Sequence, residues 1–189
     1  MKLSFVAFAF AATAITAPAL AAPVSGARIE GVVGYDNVRV DFGPDDESQD
    51  GVLYGVGIGY DFAVTPTTSV GIDAEAADAT TDIEFVDGAD SAKISAGRDL
   101  YVGGRVTTAV SDRVNLYGKL GYTNARIKAT VTEGGVTTSE SANGDGIRAG
   151  VGAQYALGTN SYVGTEYRYS NYEAGLSRHQ VAATFGFRF

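Results

Sequence analysis

The chain has 189 residues, enough for one domain with an interior, and a formal net charge of −8. That acidity removes any long-range attraction for nucleic acid. The absence of cysteine rules out disulfide staples and thiolate metal sites.

Lys2 opens a short positive region, and Leu3 to Ala12 is apolar except for Ser4. Ala19-Leu20-Ala21 follows with small residues at a cleavage spacing, so residues 1–21 read as a secretory signal cut after Ala21. The domain is then 22–189. No later apolar run approaches the ~20 residues of a membrane helix, but a barrel strand needs only ~10 alternating residues.

Residues 27–42 read as the first strand, with Ile29, Val33 and Tyr35 on one face and Arg28, Glu30 and Asp36 on the other. An acidic loop, 43–50, contains Pro44. The stretch 51–63 alternates most cleanly: Val52, Tyr54, Val56, Ile58, Tyr60 and Phe62 against Leu53, Gly55, Gly57, Gly59 and Asp61. Only a period of two separates those sets. Its Gly-x-Gly-x-Gly run lacks the following helix of a phosphate loop and reads as small residues facing a narrow interior. After the turn at Thr65-Pro66-Thr67 comes a third strand with Val70, Ile72, Ala74 and Ala76 opposite Asp73 and Glu75. A long polar loop spans 77–93 and holds a short strand-like patch at Ile83-Glu84-Phe85, where the strands can extend beyond a membrane.

The fourth strand, 94–110, sets Leu100, Val102 and Val106 against Asp99, Tyr101 and Arg105. A turn at Ser111-Asp112-Arg113 leads to the fifth, 114–128, with Leu116, Leu120 and Tyr122 against Tyr117 and Lys119. Residues 129–146 read as another long loop. The sixth strand sets Ile147, Ala149, Val151 and Tyr155 against Arg148 and Gln154, and the seventh sets Val163, Tyr167 and Tyr169 against Glu166 and Arg168. The loop 171–177 leads to the last strand, where Val181, Ala183, Phe185, Phe187 and Phe189 share one face. The layout predicts an all-β fold: an eight-stranded antiparallel up-and-down transmembrane β-barrel, with long loops at one end and tight turns and both termini at the other.

Alternation alone fits a soluble barrel with an apolar centre or a membrane barrel with an apolar exterior. Tyrosines near the strand ends, glycine-rich polar faces and mixed charge favour lipid outside. The polar faces carry Glu30, Asp61, Asp73, Glu75, Asp99 and Glu166 against Arg105, Lys119, Arg148, Arg168 and Arg188. Ions enclosed in a small lumen must pair, because isolated burial costs several kcal/mol per ion. A lumen charge network of structural role is therefore expected at these residues.

Val33-Gly34-Tyr35-Asp36, Gly57-Ile58-Gly59-Tyr60-Asp61-Phe62, Gly121-Tyr122-Thr123, Glu166-Tyr167-Arg168-Tyr169 and terminal Gly186-Phe187-Arg188-Phe189 resemble the small outer-membrane β-barrels of the opacity-protein and OmpA/OmpX type. The resemblance covers essentially the whole mature chain. It implies a monomer in the outer membrane of a Gram-negative cell, embedded in outer-membrane lipid. It also implies an assembly signal at Phe185, Phe187 and Phe189, with Tyr169 nearby, read by the barrel-assembly machinery. Surface loops would touch the host, the environment or surface glycolipid. The sequence departs from full-length OmpA proteins in lacking a C-terminal peptidoglycan-binding domain.

Little chemistry is legible. The only histidine is His179, at the loop-side end of the last strand, with no His-x-Ser pattern beside it. A rim hydrolase of lipid or peptide is the weaker alternative, since a general base needs an orienting partner. Asp45, Asp46, Glu47 and Asp50 could bind divalent cations that bridge the loop to anionic surface glycolipid, but they lack the spacing of a calcium loop and read as a solvated acidic loop. A narrow ion channel is the other alternative, but an eight-stranded barrel has room only for its own side chains. The reading is a non-enzymatic outer-membrane barrel with a side-chain-filled lumen, serving envelope structure or surface contact and adhesion through its acidic extracellular loops, with no cofactor.

Overall fold

The computed structural model describes residues 24–41, 46–87, 90–133, 136–173 and 176–189. The expected signal segment, 1–21, lies outside the described residues. Nine strands are described in chain order: β1 Gly26–Asp41, β2 Asp46–Ala63, β3 Thr68–Ala79, β4 Asp82–Asp87 and β5 Asp90–Ala109, then β6 Val114–Glu133, β7 Val136–Ala156, β8 Ser161–Tyr172 and β9 Leu176–Arg188. Every pairing among them is antiparallel.

β3 and β4 lie end to end along the same partner. β3 pairs Thr68–Ala77 with Thr108–Asp99 of β5, and β4 pairs Asp82–Asp87 with Ser95–Asp90. They act as one interrupted stave of the wall. The β3–β5 pairing joins the two ends of the sheet and closes a barrel of eight staves. Closure leaves no open edge in the wall, so the backbone donors and acceptors are satisfied even where no water is available. No described helix is long and apolar enough to cross a membrane.

The two faces settle which side is apolar. Ile58 is 62% exposed and Phe185 46%, whereas Arg148 and Arg168 are fully buried. Full burial of each such apolar side chain contributes roughly 1.5–3 kcal/mol, so water is the wrong solvent for this wall. The inside of the barrel is polar and tightly filled. Its buried apolar cluster among the described residues is small: Val32, Leu53, Ala77 and Ala182.

The long loops read from sequence are corrected. Residues 77–93 are mostly strand: β3 runs to Ala79, β4 occupies Asp82–Asp87 and β5 starts at Asp90. Residues 129–146 are nearly all strand, because β6 runs to Glu133 and β7 starts at Val136, paired Glu133↔Val136 through Thr123↔Gly146. The acidic loop 43–50 is likewise shortened by β2 starting at Asp46. Beyond the hydrocarbon nothing demands an apolar face, so the sequence alternation fades while the hairpin pairing continues. Cross-strand hydroxyl contacts persist there, Thr130–Ser139 at 3.2 Å and Thr132–Thr137 at 3.1 Å.

Candidate functional site

Strand parity puts alternate residues of every stave into the lumen, and their charges gather in three levels. Nearest the tight turns, Arg28, Arg105 and Arg188 meet Glu30, Asp61 and Asp73. Arg28 Nη1 lies 2.6 Å from Asp61 Oδ1 and Arg28 also pairs with Asp73, while Arg188 Nη2 is 3.2 Å from Asp61 Oδ2. Glu30 Oε1 accepts from Tyr162 Oη at 2.8 Å and Gln154 Nε2 at 3.1 Å, with Arg105 Nη1 at 3.4 Å.

At mid-height, Lys119 and Arg168 meet Glu75 and Glu166. Lys119 Nζ and Arg168 Nε each lie 2.8 Å from Glu166 Oε1. Tyr117 Oη donates to Glu166 Oε2 at 2.7 Å, and Arg168 also pairs with Glu75. At the hairpin end, Arg148 and Arg178 meet Asp36 and Asp99. Arg178 bridges Asp36 Oδ2 at 2.7 Å and Asp99 Oδ2 at 3.2 Å, and Arg148 pairs with Asp99. Thr123 Oγ1 and Tyr172 Oη donate to Asp99 at 2.6 and 2.9 Å, and Thr81 Oγ1 and Gln180 Nε2 to Asp36 at 2.7 and 2.8 Å. Arg148 Nη1 reaches Glu75 Oε1 at 3.5 Å and ties the upper level to the middle one.

Each level therefore holds as many cations as carboxylates, and this network as a whole carries seven of each. The eleven charged residues expected to face the lumen each have an ion-pair partner in this network, and Arg28, Asp36 and Arg178 belong to it as well. Parity was the signal: Arg28 and Asp36 share a face with Glu30, and Arg178 shares one with Arg188.

Tyrosine rings fill the space between the levels. The Arg105 guanidinium sits 3.6 Å from the Tyr117 ring centroid and Lys119 Nζ 5.0 Å from that of Tyr101. The rings fit because the neighbouring strand offers glycine. A Cβ on Gly121 would overlap the Val102 carbonyl oxygen and crowd the Tyr101 ring.

Outside, girdle tyrosines anchor two hairpin feet in the same way. Tyr35 Oη and Asn37 Nδ2 both donate to Asp50 Oδ1, the latter at 2.7 Å. Tyr122 Oη and Asn124 Nδ2 both donate to Asp145 Oδ1, the latter at 2.6 Å. These donors hold the Asp50 and Asp145 carboxyls below the usual carboxylate range. Asp50, weighed from the sequence as part of a cation-binding loop, is thus engaged within its own hairpin. Asp45 lies outside the described residues, and no group of His, Asp or Glu suited to a metal occurs among those described.

His179 faces outward. Its Nδ1 lies 2.8 Å from Tyr167 Oη, and its ring packs 4.9 Å from the Tyr169 ring centroid. These partners are aromatic, and no carboxylate among the described residues orients the imidazole as a general base requires. Phe185 and Phe187 meet edge to face at 5.0 Å on the outer wall, and Phe189 is 79% exposed at the end of the same strand face.

The model of a family described as outer membrane protein beta-barrel domain matches residues 6–189. Among solved structures the chain is similar to Ail, the attachment invasion locus protein of Yersinia pestis, with 20% identity and a TM-score of 0.58 over 88% of this chain and 100% of that one. It is similar to Neisserial surface protein A, with 16% identity and a TM-score of 0.58 over 87% of this chain and 98% of that one. Ail is also known in complex with the heparin analogue sucrose octasulfate, in a structure that matches with 19% identity and a TM-score of 0.58 over 88% of this chain and 100% of that one. At these identities the likeness establishes the fold. No curated protein sequence matches the chain.

Proposed function

Given that this chain belongs to the outer membrane protein β-barrel domain family, we propose that it is a non-enzymatic, non-conducting surface protein whose hairpins make contacts outside the cell. The observation that carries this reading is the filled, charge-balanced lumen. Water and ions crossing it would have to displace side chains that are paired at every level. The lumen is a structural support, and function is left to the paired strands that continue past the girdle tyrosines.

The contact surface is acidic at its tips. The lumen charges cancel, and the short turns hold only Asp112 and Arg113. Apart from Lys2, the net charge of −8 therefore belongs to the hairpin end. Ail offers a precedent for a ligand on such a barrel, a heparin analogue. The tips of this chain favour the opposite: a basic or neutral partner, since a polyanion arriving from solvent meets like charge.

Conductance in planar bilayers tests the reading. The folded protein leaves the membrane silent. Steady channels of high conductance would show that the lumen side chains move aside and would overturn the closed barrel. The hydrolase alternative is tested by His179→Ala: loss of an envelope-lipid or peptide hydrolysis activity in that variant would replace the surface-contact reading with an enzyme.

A further inference from the structure

At the hairpin end the segments joining the strands, 41–47, 87–90, 133–136 and 172–176, contain carboxylates and no lysine or arginine. The cations stand on the strands, where Lys93, near the β4–β5 tip, is paired with Asp82 at 2.8 Å. Arg98, Arg126 and Lys128 are all exposed, and none has an ion pair or hydrogen-bond partner among the described residues. They are unpaired at the end of the molecule richest in carboxylates.

A bulge brings two of them together. Ala96 pairs with Ile127 and Asp99 with Ala125, so Gly97 and Arg98 of β5 jointly oppose Arg126 of β6. Two guanidiniums at one register position repel each other. Lys128 lies two residues further along the same face of β6, between Ser95 and Ser141. Alternation sends this face outward: Ala125 and Thr123 are buried in the lumen, and Tyr122 is 49% exposed on the wall.

Tyr122 also gives the height. Its ring marks the boundary between hydrocarbon and headgroups. Arg126 lies four residues beyond it, about 13 Å along the strand, or roughly 10 Å along the membrane normal at the usual barrel tilt. That is just beyond the ~5–8 Å headgroup layer of an ordinary phospholipid leaflet, at the level a bulkier, sugar-bearing headgroup occupies. Arg39 stands at the same offset beyond Tyr35, on β1.

We propose that Arg98, Arg126 and Lys128 form a collar site for a phosphate group on the headgroup of an outer-leaflet glycolipid. Guanidinium forks match phosphate oxygens in pairs, and an anion seated between Arg98 and Arg126 converts their repulsion into attraction. The acidic tips select the source. A soluble polyanion must pass them, whereas a lipid phosphate reaches the collar sideways, within the membrane plane. The site is independent of whatever the tips contact.

The test is retention of glycolipid by the folded, full-length mature barrel after exchange into mild detergent, read by native mass spectrometry. Wild type retains a phosphorylated glycolipid, and Arg98→Gln with Arg126→Gln lowers retention at least about tenfold. Both residues are exposed and unpartnered among the described residues, so the variant folds, as checked by the gel shift between unheated and boiled samples. Arg98→Lys with Arg126→Lys keeps part of the retention, because charge remains while the fork is lost. Equal retention by the glutamine variant overturns the site. So does equal retention of the same glycolipid stripped of phosphate. If inorganic phosphate or sucrose octasulfate, at millimolar concentration, displaces the lipid from wild type, the assignment to a membrane headgroup falls.

Discussion

Replacing Asp99 with asparagine removes one negative charge from the uppermost lumen level and keeps the side chain's size. Asp99 is 1% exposed and Arg148 fully buried, so water does not screen the loss. The wild-type level balances Arg148 and Arg178 against Asp36 and Asp99; the variant leaves Arg178 with Asp36, and Arg148 with only one carboxylate contact, at 3.5 Å to Glu75 of the middle level. Breaking a buried pair by removing one partner typically costs about 3–5 kcal/mol, because the remaining ion stays out of water. Asparagine still accepts from Thr123 and Tyr172, which places the expected loss near ~3 kcal/mol, a factor of over ~100 in the folding equilibrium. Denaturant titration of the protein refolded in lipid vesicles reads this, followed by circular dichroism or tyrosine fluorescence because tryptophan is absent. Adding Arg148→Gln restores neutrality and should bring stability back to within ~1 kcal/mol of wild type. A single-variant cost under ~1 kcal/mol, or a double variant less stable than the single one, would show that charge balance within a level is not what holds the lumen together.

The remaining expectations concern space, pH and assembly. Gly121→Ala forces a Cβ against the Val102 carbonyl and should cost ~1–3 kcal/mol, whereas Gly31→Ala meets only the Phe185 carbonyl at 3.8 Å and should stay within ~0.5 kcal/mol; equal effects would contradict the close lumen packing. The Asp50 and Asp145 carboxyls are depressed in the folded protein, so their contribution is present above the unfolded carboxylate range and lost as pH falls through and below it. Amide exchange at both hairpin feet should show no added opening from about pH 7 to 5, once corrected for the intrinsic pH dependence of exchange, and opening should increase below about 4. Added opening already between about pH 7 and 5 would assign the feet to other groups. Phe189→Ala should slow insertion in cells while leaving the denaturation midpoint of the refolded barrel unchanged, since that ring is 79% exposed. A lowered midpoint would make it a packing residue rather than an assembly signal.

The sequence carried the staves well where lipid or a packed lumen faces them. Over 52–62 each residue must satisfy hydrocarbon or the interior, so parity is printed in the residue types. It failed over 129–146, where strands are held by backbone pairing and hydroxyl contacts beyond the hydrocarbon. Composition there matches a loop because no apolar solvent selects one face over the other. Arg178 shares the lumen face of its strand with Gln180 and Arg188 by parity, but it stands beside the loop, where a cation reads equally well as rim or lumen, and its pairing with Asp36 follows from register and closure.

Local alternation divided each membrane-height stave into an apolar and a polar face and gave the number of staves, while tyrosines near the strand ends and the glycine and mixed charge of the polar faces pointed to the apolar face as the exterior. Which arginine meets which carboxylate, that each lumen level is neutral, and that a two-residue bulge sets Arg98 against Arg126 were decided by closure and register. Those features join residues as distant as Asp36 and Arg178, and electrostatic pairing depends on separation in space, which no local pattern encodes.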